Sequence, residues 1–305
     1  MRLFLVVVIR GLLILISLLS ANLAFAQSPV GSRAEGMAGA FVGVADDASA
    51  VYWNPAGIAS GPIVSAVFGF GVGPDVPQPF QTSLDQQDRR AFVAVSATAV
   101  GMAYYRFTAY GLGAAEPAVS TPNSREEVGR SVHAITVQTA GVSLLQSLTE
   151  HIVVAATPKF VRGADANAFD LDAGVMVSAN RMRIGLVARN LTTPIDLQRQ
   201  VRAGAAWGSS WPGISRVIAS ADADLTSRVT AAGDRRDVAA GLETWWKNQR
   251  LGLRGGVRRS TIGDARAAFA AGVSASLKTG MLVDAHVVRG HESERSWGVG
   301  LRMLF

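Results

Sequence analysis

WGVGLRMLF, residues 297–305, alternates between two kinds of side chain along its whole length. Large apolar groups take the odd positions, and glycine, one arginine and one leucine take the even positions. This period of two predicts a β-strand with one face against lipid or a core. A helix would bring Arg302 onto the apolar stripe. The apolar face of the strand carries Trp297, Val299, Leu301, Met303 and Phe305.

The same alternation recurs along the chain and predicts about fourteen strands. Long loops and tight turns alternate between them, which is typical of a barrel with one rim outside the cell and the other in the periplasm. Tight turns are expected near Val100, Asn180, Lys247-Asn248 and Lys278-Thr279. The predicted strands cover residues 62–73, 90–98, 100–110, 130–142, 150–162, 168–178, 181–191, 199–208, 213–224, 236–246, 249–258, 266–277, 280–289 and 294–305.

The N-terminus has the pattern of a signal peptide. Arg2 and Arg10 flank apolar runs, and Ala24-Phe25-Ala26 offers small residues for cleavage. We therefore predict that residues 1–26 are removed by cleavage near Ala26-Gln27, with an uncleaved membrane anchor as the alternative. The chain has no Cys, which favours a bacterial envelope protein stabilised by its size and by closed strand pairing.

The remaining chain is apolar but lacks a helical stretch of 18 apolar residues, so it has no expected spanning helix. An exported chain of this kind can occupy a membrane as a closed β-barrel. A soluble β-sandwich is the alternative, but its outer face would be rich in Lys and Glu. Here the second face of the strands carries Gly, Ser and Ala with scattered charges. We therefore predict an all-β transmembrane antiparallel barrel in the bacterial outer membrane.

Charged side chains on the second face should pair between neighbouring strands, because an unpaired charge in a narrow barrel is costly. Most would form a structural lattice of salt bridges, and a minority would line a solute path. The candidate lumen-facing charges are Lys159, Asp170, Asp172, Arg183, Arg189, Arg202, Asp222, Asp224, Glu243, Arg250, Arg254, Arg258, Asp284 and Arg302.

No catalytic or cofactor site is indicated. The four His residues are dispersed without metal-ligand spacing, and the chain has neither a nucleophile elbow nor a phosphate-binding lysine motif. The formal net charge of +6 comes without a basic stripe interleaved with aromatic residues, so nucleic acid is not an expected partner. We expect a protein that is not an enzyme and uses no cofactor.

Aromatic residues cluster at predicted strand ends, as expected for girdles that anchor a barrel at the membrane interfaces. Trp207, Trp211 and the pair Trp245-Trp246 are examples. Trp297 and the final residue, Phe305, resemble the C-terminal assembly signal of outer-membrane barrels. That resemblance implies two partners, the outer-membrane lipid and the barrel-assembly machinery.

Residues 31–59, GSRAEGMAGAFVGVADDASAVYWNPAGIA, resemble the N-terminal signature of the FadL-like outer-membrane proteins. The resemblance implies a fourteen-stranded barrel, residues 62–305, with a plug, residues 27–61, inside its lumen. It also implies passive transport of fatty acids or other hydrophobic compounds without a cofactor. The candidate plug motif is Asp46, Asp47, Tyr52, Trp53, Asn54, Pro55, Ala56 and Gly57.

Physical chemistry predicts the local structure of this motif. Asp46 or Asp47 can cap one helical turn, because a carboxylate accepts hydrogen bonds from the free N–H groups at the positive end of the helix dipole. The turn, residues 48–53, should stop at Asn54, since a residue before Pro avoids the α region.

Strand motifs further along the chain resemble a smaller branch, the PorV-like and TraF-like proteins. They include FDLDAGVM (169–176), RAGAAW (202–207) and LRGGVR (253–258). Proteins of that branch are tied to secretion or conjugation complexes, or have no assigned role. Two functions therefore stay open: passive transport of a hydrophobic ligand, and a non-transporting barrel that serves a secretion or conjugation complex.

Overall fold

The computed structural model describes residues 30–75, 87–112, 132–163, 166–192, 197–230, 233–263, 266–290 and 295–305. The predicted signal peptide and most of the long loops predicted at 74–89 and 111–129 lie outside this part of the chain. Within the described ranges, no helix is long and apolar enough to cross a membrane.

Fourteen antiparallel strands form one closed barrel, which confirms the predicted fold. The barrel closes between its first and last strands, from Ser65 opposite Leu304 to Val72 opposite Trp297. The barrel strands are β1 Val64–Asp75, β2 Gln87–Ala97, β3 Val100–Leu112, β4 Val132–Ser147, β5 Ile152–Arg162, β6 Asn167–Ala179, β7 Met182–Arg189, β8 Gln200–Trp211, β9 Ile214–Asp224, β12 Asp237–Trp246, β13 Leu251–Ser260, β14 Ala267–Lys278, β15 Met281–Gly290 and β16 Arg295–Leu304.

Two further strands, β10 Arg228–Thr230 and β11 Gly233–Arg235, form a separate hairpin in the connection between β9 and β12. The alternation of side chains did not predict this hairpin, because each strand is only three residues long. β10 contacts β3, which lies nearly opposite β9 in the barrel order. The hairpin therefore extends over one mouth of the barrel.

Tight turns gather on the opposite rim. Residues 98–99, 180–181 and 279–280 each join two strands there, and the C-terminal residue Phe305 pairs with Val64 on the same side. Short turns mark the periplasmic side of outer-membrane barrels, and longer loops mark the outer side. We call this edge the periplasmic rim.

The outer surface of the barrel presents a belt of exposed apolar side chains, among them Phe70, Val95 and Val287, which suits contact with lipid. Trp245 is an exception to the predicted aromatic girdle. It shares the lumen-facing side of β12 with Glu243 and is only 4% exposed. The prediction that it anchors the barrel at the interface is therefore wrong.

Residues 30–63, which we call the inner segment, precede β1, and most of the segment lies inside the barrel. Its regular structure consists of two short α-helices, α1 Ser32–Glu35 and α2 Ala50–Trp53, and a 3-10 helix, Pro55–Ser60. Residues 32–58 are all buried, although the segment has no partner helix or sheet of its own. The barrel wall therefore supplies its core.

Leu242 lies midway along β12, faces outward and is 49% exposed. Leu242→Arg would place a charge near the middle of the bilayer, which costs about 2–4 kcal/mol. We expect the variant to fold less well into lipid vesicles, measured by the shift in gel migration between heated and unheated samples. Leu242→Phe keeps the site apolar and should behave like the parent chain. Equal folding of the Arg and Phe variants would contradict the outward assignment.

Candidate functional site in the barrel lumen

The lumen wall has two chemically different halves. On β1–β4, Arg90 is the only charged group among the described lumen-facing side chains, and Phe92, Phe107 and Val137 pack there with the inner segment in one apolar cluster. The rest of the wall carries buried charges on nearly every strand. The inner segment therefore contacts apolar side chains on one side and a lattice of buried charges on the other.

The predicted motif forms one helical turn at the centre of the lumen. The side chain of Asp47 accepts hydrogen bonds from the N–H and the hydroxyl of Ser49, 3.0 Å and 2.5 Å away. The helix runs from Ala50 to Trp53 and stops at Asn54, whose φ of −164° and ψ of 101° are extended. The residue before Pro thus leaves the α region as the sequence suggests.

Asn54 joins the inner segment to the barrel wall. Its Nδ2 donates to the backbone carbonyl of Val175 on β6, 3.1 Å away, and its Oδ1 accepts from the N–H of Ala56. A Cβ at Gly174 would collide with Oδ1, and one at Gly185 would lie 2.6 Å from Nδ2. Glycine at both wall positions therefore allows the amide to reach the strand backbone.

Arg33 is the centre of the ionic contacts between segment and wall. Its Nη2 and Nε donate to the two carboxylate oxygens of Glu243 on β12, at 2.7 Å and 2.8 Å. Its Nη1 donates to Asp46 and to Asp47, the latter at 3.0 Å. Glu243 is fully buried, and this bidentate pair, together with the hydrogen bond from Arg254, satisfies its carboxylate.

Asp46 extends these contacts to two further strands. Its Oδ2 accepts from Arg216 on β9 at 2.7 Å and lies 3.5 Å from Arg183 on β7. Burial by itself would raise the pKa of Asp46, but the guanidinium groups of Arg33, Arg216 and Arg183 hold that pKa well below its usual range. The carboxylate is therefore ionised at any physiological pH.

Most of the other candidate charges lie in the lumen and pair between neighbouring strands. Lys159 on β5 lies 3.1 Å from Asp170 and 2.6 Å from Asp172 on β6, and Arg202 on β8 lies 3.5 Å from Asp222 on β9. Further buried members of this set are Arg189, Asp224, Glu243, Arg254, Asp284 and Arg302, while Arg258 is half-buried and Arg250 is exposed at the periplasmic rim.

Arg254 and Arg302 converge on Asp284, each with a nitrogen 3.1 Å from Oδ1. Arg254 also donates to Glu243 from Nε at 2.8 Å. These pairs connect β12, β13, β15 and β16 to Arg33 through one chain of alternating charges. Among the described residues, no group of three or more His, Asp or Glu is placed to hold a metal ion.

Aromatic rings dominate the contact with the apolar half. Tyr52 meets Tyr105 of β3 edge-on, with ring centroids 5.5 Å apart, and Tyr105 stacks on Phe107 at 6.2 Å. On its other side Tyr52 is covered by the guanidinium of Arg189, 4.2 Å from the ring centroid. Tyr52 and Trp53 thus separate the two halves of the lumen.

Sequence reasoning missed several residues that hold the inner segment. Arg216 has the same parity on β9 as Asp222 and Asp224, so the period of two would have found it. Arg33 could also have been found, because it is a charged residue inside a segment expected to be enclosed, and such a charge requires a buried counter-ion. Ser65, whose hydroxyl accepts from the N–H of Ala48, gives no signal in the sequence.

A cavity of about 840 Å³ opens between the inner segment and the periplasmic rim. Its inner wall includes Arg33, Asp46 and Asp47, and its outer edge includes the turn residues Arg250 and Lys278. A much smaller cavity, about 20 Å³, lies beside Glu35, Arg90 and His286.

No protein-family model matches this chain, and no curated protein matches it significantly in sequence. Its fold is nonetheless shared with solved structures. The "CymD monoaromatic hydrocarbon channel" has a TM-score of 0.63 at 11% identity, over 90% of this chain and 97% of that one. The Ralstonia pickettii toluene transporter TbuX has a TM-score of 0.63 at 12% identity, over 90% and 98%.

The Pseudomonas putida toluene transporter TodX has a TM-score of 0.56 at 10% identity, over 92% of this chain and 98% of that one. At such low identity these matches establish a common fold and nothing about the ligand. Residues 64–305 are about four fifths of the chain, so a match over nine tenths also includes part of the inner segment.

Asp46→Asn should show the pH dependence of the ionic contacts. Because the pKa of Asp46 is lower in the folded chain than in the unfolded chain, its stabilisation is present above the unfolded pKa and is lost as pH falls towards the folded one. We expect the variant to lose about 3 kcal/mol of unfolding free energy at pH 7. That deficit should shrink by about 1.4 kcal/mol for each pH unit below roughly pH 4.

Urea unfolding of parent and variant at each pH gives this difference. Glu150→Gln is the matched control, because the Glu150 side chain is 85% exposed in the β4–β5 turn. A deficit that stays constant down to pH 3 would show that ionised Asp46 contributes nothing specific.

Proposed function

We propose that this protein is an outer-membrane channel for passive transport of hydrophobic small molecules, with the inner segment as its plug. The observation that carries the proposal is the division of the lumen wall. Every described ionic contact between the segment and the wall, other than the loose 3.8 Å approach of Glu35 to Arg90, goes to β7–β16. The contacts to β1–β5 are almost wholly apolar.

This division favours a hydrophobic solute over a polar one. Separating the segment from the apolar half exposes rings such as Tyr105 and Phe107, and the one ionic approach that it breaks is the 3.8 Å contact of Glu35 with Arg90. An apolar solute can cover the exposed surface and so offset the lost burial, at about 25 cal/mol per Å². A polar solute would gain less along that wall, whose buried polar side chains among the described residues are Arg90 and a few hydroxyls such as Ser65 and Thr139.

The resemblance of residues 31–59 to the FadL-like signature supports the same class of function, as does the fold shared with a hydrocarbon channel and two toluene transporters. The apolar outer belt and the tight turns on one rim suit an outer-membrane location. We infer export by the predicted signal peptide and insertion through the terminal Phe305 signal.

A second candidate is a non-transporting, PorV-like or TraF-like barrel that serves a secretion or conjugation complex. The filled lumen favours it: residues 32–58 are all buried, so among the described residues the segment leaves no open path. In that case the ion pairs of Arg33 would hold the segment permanently, and the barrel would act through its surfaces.

Uptake by cells separates the two candidates. Cells that produce the protein should take up labelled toluene or a labelled long-chain fatty acid faster than cells without it, because the outer leaflet is the barrier that the channel bypasses. A hydrophilic solute of similar size should enter equally in both. Equal uptake of the hydrophobic compounds would contradict transport and favour the second candidate.

Fixing the segment to the apolar wall tests whether it must move. A Cβ on Gly101 of β3 would lie 2.6 Å from Cγ2 of Val51 and 2.6 Å from Cδ1 of Ile58, so cysteines at positions 51 and 101 are near enough to test as a bridge between segment and wall once the flexible end of Ile58 moves aside. The natural chain has no Cys, so Val51→Cys/Gly101→Cys has one possible disulfide. We expect the oxidised double variant to lose uptake of the hydrophobic compound and to recover it on reduction.

Each single cysteine variant is a matched control and should respond to neither oxidant nor reductant. Full uptake by the oxidised double variant, with the disulfide verified by mass, would mean that solutes do not pass between the segment and β3.

A further inference from the structure

The cavity at the periplasmic rim has an excess of positive charge. Five of its lining side chains are cationic, and two, Asp46 and Asp47, are carboxylates. Both carboxylates are already ion-paired with Arg33, which lines the inner wall. Arg33 and Arg302 are also paired with Glu243 and Asp284 behind the lining, so the uncompensated positive charge is that of Arg250 and Lys278.

Two of these cations have no partner of their own. The side chains of Arg250 and Lys278 are exposed and make no ion pair or hydrogen bond to any residue in the described ranges. Their backbones are close, because the N–H of Ser276, two residues before Lys278, donates to the carbonyl of Arg250 at 2.8 Å, and both residues line the same cavity. Two like charges on adjacent strand ends repel unless an anion lies between them.

Arg216 is a third cation, and only part of its guanidinium is used in an ion pair. Its side chain is 36% exposed, and its bond to Asp46 uses Nη2 alone. A guanidinium can bind two carboxylates at once through its fork of N–H donors. An anion in the cavity can therefore share Arg216 with Asp46 or displace it.

The same cavity also offers apolar surface. Trp245, Leu282, Leu304 and Pro62 contribute to its lining. The ring of Trp245 lies under Arg302, whose guanidinium carbon is 5.5 Å from the ring centroid. An apolar wall beside fixed cations, in a volume of about 840 Å³, has the form of a site for a small ligand with a charged end and an apolar body.

We propose that this cavity is a binding site for an organic carboxylate with an apolar body, whose carboxylate lies between Arg250, Lys278 and Arg216. The ligand would enter from the periplasmic rim, on the opposite side from the β10–β11 hairpin. The site stands apart from the proposed transport, because it needs neither displacement of the inner segment nor passage along β1–β4.

Calorimetric titration of the purified full chain in a neutral detergent tests this site. Phenylacetate supplies a carboxylate and one ring, and phenylacetamide has nearly the same shape without the charge. We expect phenylacetate to bind about tenfold more tightly than the amide, a difference of about 1.4 kcal/mol, and to weaken as salt is raised. Equal binding of the two compounds would overturn the proposal.

The variant Arg250→Gln/Lys278→Gln should abolish the preference for phenylacetate. Lys247→Gln/Arg181→Gln is the matched control. Both residues are exposed on the same rim and lie outside the cavity lining, and the two substitutions remove the same amount of charge. The control should keep the preference. Loss of the preference in both double variants would show a general charge effect and no site.

Inorganic phosphate completes the test as an anion without an apolar body. We expect it to bind more weakly than phenylacetate, because it gains nothing from Trp245 and its neighbours. Phosphate binding as tight as that of phenylacetate would overturn the assignment of an amphipathic ligand. Because none of these measurements involves uptake, the site and the proposed transport can fail independently.

Discussion

The buried guanidinium of Arg33 is the contact on which the rest of this structure depends. It satisfies Glu243 in the wall and Asp46 and Asp47 in the inner segment at once. Each carboxylate would be strongly destabilising in the lumen if it were ionised and unpaired. Glu243, Asp46 and Asp47 are therefore satisfied together through one cation, and this contact adds to the apolar packing that buries residues 32–58.

The ionic contacts lie on one side of the segment, and this gives the lumen a direction in which it can open. Toward β7–β16, displacement breaks buried ion pairs centred on Arg33 and Asp46. Toward β1–β4, it breaks apolar and aromatic contacts such as that of Tyr52 with Tyr105, and the hydrogen bond from Ala48 to Ser65. An apolar solute can replace the apolar and aromatic contacts but not the buried ion pairs, so any motion that admits one should pivot on the charged half.

Much of the fold follows from the sequence, because lipid on one side and a packed lumen on the other impose a period of two on every strand. That period also gives the parity of Lys159, Asp222 or Arg254, and hence the side of the wall they occupy. It does not give which strands meet across the lumen or which segment fills it. Trp245 shows the limit: a tryptophan near a strand end suggested a membrane anchor, yet its parity with Glu243 places it under Arg302. The short hairpin β10–β11 was also not predicted. The turn at Lys247–Gln249 was expected, but its three successive positive φ angles were not, because none of these residues is glycine.

The periplasmic cavity and the apolar wall are linked through one element, the inner segment. Asp46 lines the cavity and binds Arg216, while Tyr52, six residues further along the chain, contacts Tyr105 of the apolar half. A ligand that binds more tightly to one position of the segment shifts the segment towards that position. By thermodynamic linkage, moving the segment changes the affinity for that ligand by the same factor. A carboxylate that takes Arg216 from Asp46 weakens a tie on the charged side. If a solute enters against β3, as we propose, it should act on that same tie, because both ligands would contact a segment anchored by Arg33.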